Sequence, residues 1–282
     1  MSSSSEQELL NGRTVLVTGG TGGIGYQTAR VLARRGAQLV ITGRDAEAGE
    51  RAGGAIRRES GQSVRFLQSD HSTVAGNRLL AEQVRRSVPG LNVLVNNVGG
   101  LYDTRRETAD GYEATLAMNF LGPFTLTYEL LPLLQANAPA RCVNVVSAAF
   151  KLWKGDPFQD LQSTRRFVSG DAYARAKLLN VLFSLAVARW VSAEQVTVNL
   201  VHPGMAWTRT RSAEKAGRRV ASLVASPLAG ACTGRYFEAR RIPERLSCPE
   251  LDPQCQRRAW LLGCELQAGA AKPSTVLAAG GG

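Results

Sequence analysis

What most constrains this chain is the regular alternation, from residue 13 to residue 201, of short apolar β-branched runs with amphipathic stretches of helical period. Strands are expected at 13–18, 37–42, 64–67, 92–95, 142–146 and 196–201, and helices between them at 24–35, 45–59, 74–87, 111–135 and 171–191. In the first helix Ile24, Thr28, Val31 and Leu32 share one face, and Gly36 stands where a left-handed cap closes it. Each helix returns the chain to lay the next strand parallel to the last. The pattern therefore predicts an α/β fold with a single doubly wound parallel sheet and helices on both faces. The strands are apolar at nearly every position, as a sheet covered on both faces requires.

A chain of 282 residues with 44% hydrophobic content is ample for one buried core. The pattern loosens past residue 208, where Arg-rich sequence with scattered prolines runs to 265. The expected organisation is a flexible N-terminus over 1–10, one domain over 11–265 and a flexible Ala/Gly-rich tail over 266–282. The longest apolar-leaning stretch, Leu178 to Val191, contains Arg189 and falls short of the roughly 20 residues a membrane span needs. Nothing at the N-terminus reads as a secretory signal, and a cytoplasmic setting is expected.

The net charge of +11 raises the question of nucleic acid. Of the 34 basic residues 29 are Arg, scattered as doublets such as Arg34-Arg35, Arg85-Arg86 and Arg165-Arg166 rather than gathered in a stripe, so a solvated surface is the expectation and a nucleic-acid role is not. Five cysteines include Cys142 in a strand, read as core, and show no CxxC spacing; no metal site is expected.

The first strand runs into Thr18-Gly19-Gly20-Thr21-Gly22-Gly23-Ile24-Gly25, and a helix opens at once. Glycines at such a turn let backbone approach a pyrophosphate, and the helix N-terminus offers amides and a positive dipole end. A dinucleotide site in a Rossmann-type fold follows. The spacing Thr-Gly-x-x-x-Gly-Ile-Gly resembles that of the short-chain dehydrogenase/reductase family, and further motifs occur in the family's order. They are Asn96-Asn97-Val98-Gly99, Asn119, Ser147, Tyr173-Ala-Arg-Ala-Lys177 and Pro203-Gly204-Met-Ala-Trp-Thr208. Together they cover residues 13 to about 208.

The resemblance implies a hydride-transferring oxidoreductase. Tyr173 and Lys177, four apart on a helix, share a face; the family makes the phenol the acid/base, and a neighbouring ammonium favours the phenolate. By the same resemblance Ser147 hydrogen-bonds the substrate oxygen, Asn119 holds a water leading from Lys177 to solvent, and Lys177 also meets the nicotinamide ribose. Gly19, Thr21, Gly22, Gly23, Ile24 and Gly25 would cradle the coenzyme, with Asn97, Val98 and Gly99 on its nicotinamide side. Pro203, Gly204 and Ala206 would meet the carboxamide, with Thr208 near the phosphates. Ala176 stands where the family often has Ser before the lysine.

NAD-using members end the second strand in an acid, where this chain has Gly43, followed by Arg44. A guanidinium pairs with a 2′-phosphate that a carboxylate would repel, so NADP(H) is favoured over NAD(H); the alternative is that Arg44 stacks on adenine and serves either. Asp70 resembles the family's adenine-binding acid, or else caps the following helix. His71 is placed in a loop beside the adenine.

Ser147 and Tyr173 are 26 residues apart, about twice the commonest family spacing. The added segment, 148–170, carries Phe150, Trp153, Phe158 and Phe167. It resembles the retinol dehydrogenase-like branch, as do Gly43-Arg44-Asp45, Lys177-Leu-Leu-Asn-Val-Leu-Phe183, Gly234-Arg-Tyr-Phe237 and Arg-Arg-Ala-Trp260. With 205–265 the segment forms the expected substrate region. Its aromatics either wall an apolar pocket or pack as a flap on the sheet edge. The expected activity is NADP(H)-dependent interconversion of a carbonyl and an alcohol on an apolar or aromatic small molecule. The rivals are an NAD-dependent alcohol dehydrogenase and a non-catalytic nucleotide-binding protein acting through a partner. In the family, helices at 111–135 and 171–191 pair subunits, which implies a homo-dimer or tetramer.

Overall fold

The computed structural model describes residues 10–204, 210–238, 246 and 251–269. Its strands are β1 (Thr14–Val17), β2 (Gln38–Gly43), β3 (Val64–Gln68), β4 (Val93–Asn96), β5 (Ala140–Val145), β6 (Val196–His202) and β7 (Tyr236–Glu238). They form one sheet in the order β3-β2-β1-β4-β5-β6-β7, every neighbouring pair parallel. The order reverses direction between β1 and β4, and the crevice at such a switch point is where doubly wound sheets bind ligands.

The strands split their side chains between two cores. Val15, Val17, Leu39, Ile41, Val93 and Val95 face one side, with α1 (Gly23–Arg34), α2 (Ala46–Ser60) and α7 (Thr210–Val224). Leu16, Val40, Leu94, Cys142 and Val198 face the other, packed by α3 (Val74–Ser87), α5 (Gly122–Ala136), α6 (Ser169–Trp190) and α9 (Pro253–Gly269). This period-two partition of all-apolar strands is the expected double cover.

The helix expected over 111–135 starts later and is not uniform. It opens as α4 (Ala114–Leu116), passes through a π-helical turn, Ala117–Leu121, and continues as α5. Glu113 caps it, its carboxylate accepting from the amides of Thr115 and Leu116. Gly36 takes the left-handed cap conformation, φ +91°.

Both expected boundaries move. Leu10 is buried within the domain rather than in a loose N-terminus. At the other end α9 runs to Gly269, with Leu266 and Gln267 buried, because this helix docks across α5 and α6. There Trp260 packs its ring against Phe124, Tyr128 and Trp190. The chain's own helix thus lies on the two helices expected to pair subunits. Sequence periodicity also missed α7 and α8 (Pro227–Gly230). Among the described residues no helix is long and apolar enough to cross a membrane. Cys142 is buried, and burial pushes its thiol up to about 12.

Candidate active site

The glycine-rich turn leaves β1 at the switch point. Gly19 holds φ +67°, and a methyl group on Gly25 would meet the Gly19 carbonyl, so larger residues are excluded from both by backbone geometry. Thr18 and Asn97 brace the turn. Thr18 Oγ1 accepts from the amides of Asn97 and Val98, at 2.9 and 3.0 Å, and Asn97 Nδ2 donates to the Thr18 carbonyl at 2.8 Å. The Asn97 side chain is spent holding protein.

Helix α1 starts with Gly22 at its N-cap, no side-chain cap and no acid in its first turn. Its first amides are therefore open to an anion. They face a cleft of about 380 Å³ that Gly19, Thr21, Gly22, Gly23, Ile24, Gly25, Arg44, Asp70, His71, Asn97, Val98 and Gly99 line together. Ser69, Ser72, Tyr102 and Met118 line it too, with no motif to mark them.

Gly43, Arg44 and Asp70 form the rim of the cleft. A Cβ on Gly43 would come 2.6 Å from Thr21 Cγ2 and 2.8 Å from its Oγ1, so the threonine fills the place an acidic side chain would need. Arg44 lies exposed at the cleft. Asp70 does not cap α3: Thr73 does, its Oγ1 accepting from Gly76 N. The Asp70 carboxylate instead accepts from Ser72 N and Oγ, while remaining exposed at the cleft.

His71 lies in the turn after β3 and lines the cleft, with its ring engaged by protein. It is 6% exposed, with Nε2 2.6 Å from Thr42 Oγ1 and Nδ1 2.9 Å from Asn77 Oδ1. Asn77 Nδ2 donates to the carbonyls of His71 and Thr73, which leaves Oδ1 as the acceptor for His71 Nδ1–H. Nε2 then accepts from Thr42, and Thr42 Oγ1 accepts from Gly19 N at 3.2 Å. Burial pushes this imidazole down to about 4, so it stays neutral and joins α3 to the glycine turn.

Past Gly99 stand the groups that can do chemistry. Ser147, just past β5, caps a 3₁₀ turn over Ala148–Leu152, its Oγ accepting from Ala149 N, and stands close enough to the Tyr173 phenol to act on its titration. Lys177 is 3% exposed; its Nζ donates to the Val145 carbonyl at 3.1 Å and lies 5.7 Å from the centre of the Tyr173 ring. Asn119, in the π turn, receives Gly100 N on Oδ1 and gives Nδ2 to the carbonyls of Gly100 and Thr115. A methyl group on Gly99 would sit 2.8 Å from Asn119 Oδ1 and 2.9 Å from Lys177 Nζ, so the four expected groups converge behind the cleft.

The electrostatics differ from the sequence reading, which has the ammonium lowering the phenol. Burial raises Tyr173 above its ordinary value, and the Ser147 hydrogen bond only opposes that. Burial also lowers Lys177 to about 8, so its own charge is costly there.

Pro203 and Gly204 follow β6, where Arg219 of α7 donates to the Pro203 carbonyl at 2.8 Å. They do not line the 380 Å³ cleft. Ala206 and Thr208 lie outside the described residues. Among the described residues no group of three or more His, Cys, Asp or Glu gathers as a metal site would need.

A profile of the short chain dehydrogenase family matches residues 13–219. The chain belongs to that family. Within it, the chain falls in the retinol dehydrogenase-like branch. Retinol dehydrogenase 12 of Homo sapiens is 43% identical over 197 residues, 70% of this chain and 62% of that protein, so the match spans less than two thirds of that relative. Retinol dehydrogenase 14 of Homo sapiens is 31% identical over 89% of the chain and 85% of its own length. Polyprenol dehydrogenase of Mus musculus is 34% identical over 90% and 84%. Among solved structures, an uncharacterized protein of Mycobacterium paratuberculosis superposes with TM-score 0.77 at 27% identity, over 92% of this chain and 94% of that one. The RhlG/NADP complex of Pseudomonas aeruginosa superposes with TM-score 0.67 at 26% identity, over 81% and 95%.

In this short-chain dehydrogenase the segment between Ser147 and Tyr173 is held inward. Phe150, 3% exposed, meets Tyr236 of the edge strand edge-to-face, ring centres 5.7 Å apart. Arg175, two residues past Tyr173 and 4% exposed, donates to the carbonyls of Gln159 and Leu161 and to Ser163 Oγ, with Trp153 against its guanidinium. Phe158 lies under the Arg258 guanidinium of α9. Of these three aromatics only Phe150 packs on the sheet edge; Trp153 and Phe158 meet arginines of α6 and α9.

Proposed function

We propose that this chain is an NADP(H)-dependent oxidoreductase that interconverts a carbonyl and an alcohol on an apolar or aromatic small molecule in a cytoplasmic setting. The observation that carries the reading is the buried Lys177 ammonium 5.7 Å from the centre of the Tyr173 ring, with Ser147 acting on the same phenol, next to a glycine cleft. The cleft fits a dinucleotide: uncapped α1 amides await a pyrophosphate, and any Cβ on Gly25 would close the cradle. Gly19 to Gly25 would hold the phosphates, and Arg44 the 2′-phosphate. Thr21 leaves no room at position 43 for the carboxylate that would select NAD(H).

When bound, the coenzyme supplies or accepts the hydride at the substrate carbon. In reduction Tyr173 Oη gives its proton to the carbonyl oxygen, and in oxidation it takes the proton back from the alcohol. Ser147 Oγ donates a hydrogen bond to that oxygen as negative charge develops on it. Lys177 offers a cation beside the phenolate formed in reduction. Relatives named for retinol and polyprenol support an apolar substrate.

Replacing Tyr173 by Phe tests the reading. Turnover should fall on the order of 10²–10⁴-fold, while NADPH binding, followed by its fluorescence, stays within a few-fold. Full turnover by Tyr173→Phe would overturn the mechanism. NADPH binding without turnover by the unaltered protein, over a broad aldehyde and ketone panel, would favour a binding role instead.

A further inference from the structure

We propose that Asn180 is a positioning residue for the reaction, holding Asn119 and the Gly99–Gly100 strand-end loop in place beside Lys177; the proposal rests on the functional reading above. Asn180 lies on α6, three residues past Lys177, and is 2% exposed. No motif in the sequence reading assigns it a role.

The Asn119 carbonyl lacks its α-helical donor. In a helix the carbonyl of Asn119 would accept from the amide four residues on. That residue is Pro123, which has no N–H. The backbone here is π-helical, with Gly122 N–H reaching back to the Ala117 carbonyl, and such turns recur at functional sites. Asn180 Nδ2 supplies a donor from the neighbouring helix, 2.8 Å from the Asn119 carbonyl.

What this bond fixes lies next to the chemistry. Asn119 grips Gly100 by both its amide and its carbonyl, at 3.1 and 2.6 Å. The preceding Gly99 has Asn119 Oδ1 and Lys177 Nζ on one side of it. A shift of the π turn therefore moves the wall against which the lysine is packed.

Asn180 is itself tied to the sheet. Ser184 Oγ donates to the Asn180 carbonyl at 2.7 Å, Asn144 Nδ2 of β5 donates to Ser184 Oγ at 2.8 Å, and Asn96 Nδ2 of β4 donates to Asn144 Oδ1 at 2.7 Å. A buried polar line thus runs from the middle of the sheet to the π turn. Each link of the line fixes the next, although Asn96 Oδ1 at its sheet end has no partner of its own.

The test uses three variants: Asn180→Leu, Asn180→Asp, which keeps the size and removes the donor, and Asn180→Leu combined with Pro123→Ala, which returns an N–H to the orphaned carbonyl. Two quantities are read on the full chain: kcat and coenzyme KM per folded enzyme, and hydrogen exchange of the Gly100 amide without coenzyme. Both single variants at position 180 should lose at least tenfold in kcat with coenzyme KM within twofold, and exchange Gly100 at least tenfold faster. Adding Pro123→Ala should bring both back to within threefold of the parent. A merely structural role would lower the melting temperature and leave kcat per folded molecule and the rescue untouched, which would overturn the proposal. So would unchanged exchange in either single variant. If the parent turns over no carbonyl, the functional reading fails by itself, and the Gly100 exchange pattern alone decides the hold of Asn180 on Asn119. Should Asn180→Leu not fold, Asn180→Asp carries the same expectation.

Discussion

The glycine-rich turn and the 148–170 segment lie on either side of the proposed catalytic groups but are built in opposite ways. In the turn, backbone is the working surface: amides of α1 and bare Cα atoms face the cleft, and side chains such as Asn97, Thr42 and His71 stand behind it as braces. In the segment, side chains from distant elements do the shaping: Arg175 of α6, Tyr236 of β7 and Arg258 of α9 hold it down. A surface made of backbone tolerates few residues at each position. A surface made of remote side chains can be built from many combinations.

Lys177, beside Gly99 and the Tyr173 ring, gives the largest effect. Lys177→Met should cut turnover on the order of 10²-fold or more and, against intuition, stabilise the fold. The sign follows from burial. The group's value drops from 10.5 to about 8 on folding, so folding disfavours the charged lysine. That cost is present in full below pH 8 and vanishes above 10.5. It amounts to about 3 kcal/mol, less roughly 1 for the Val145 carbonyl left without its donor. Urea melts should therefore show the variant about 2 kcal/mol more stable at pH 7, with the gain shrinking as pH rises from 8 to 10.5. A variant less stable than the parent at pH 7 would contradict the assignment.

Next comes a substitution that attacks only the turn. Gly25→Val puts carbon against the Gly19 carbonyl and should cost about 1–3 kcal/mol in overpacking. NADPH affinity, measured by fluorescence titration, should fall on the order of 10–100-fold while the 148–170 segment keeps its protease resistance.

The reverse experiment is Arg175→Met. It orphans the carbonyls of Gln159 and Leu161, each worth about 1–3 kcal/mol when buried. Limited proteolysis between 154 and 166 should accelerate several-fold with NADPH affinity unchanged. Equal loss of coenzyme binding in this variant would erase the contrast between the two regions.

The smallest effect is expected at the rim. Arg44→Asp should raise the KM for NADPH about tenfold, as expected for one lost charge-assisted pair, with the KM for NADH little altered. An unchanged coenzyme preference would show that Arg44 does not read the 2′-phosphate.

The difference between the regions also explains what could be read in advance. Most strand and helix cores lie within two residues of expectation, because apolar runs and helical period are local properties. Gly19 and Gly25 line the cleft, and Lys177 stands beside the Tyr173 ring, as helical spacing places it. The burial of His71 in its turn was not legible, because it depends on Thr42 and Asn77 closing around it from two other elements. The π turn at Asn119 was invisible because no periodicity distinguishes it from the helix around it. The docking of α9 was missed because its apolar residues answer to α5 and α6, not to a pattern of their own.

The amino-acid sequence alone determined the doubly wound sheet and the glycine-rich turn, and it singled out the four groups proposed to act behind that turn. Those follow from sterics and from chemistry that few residue types can perform. Tertiary structure alone decided that burial governs Tyr173 and Lys177, that His71 is a neutral brace, and that Arg175 and Asn180 pin the surroundings of the site. Desolvation and hydrogen-bond completion depend on which distant atoms close the last few ångströms, and no local run of residues encodes that.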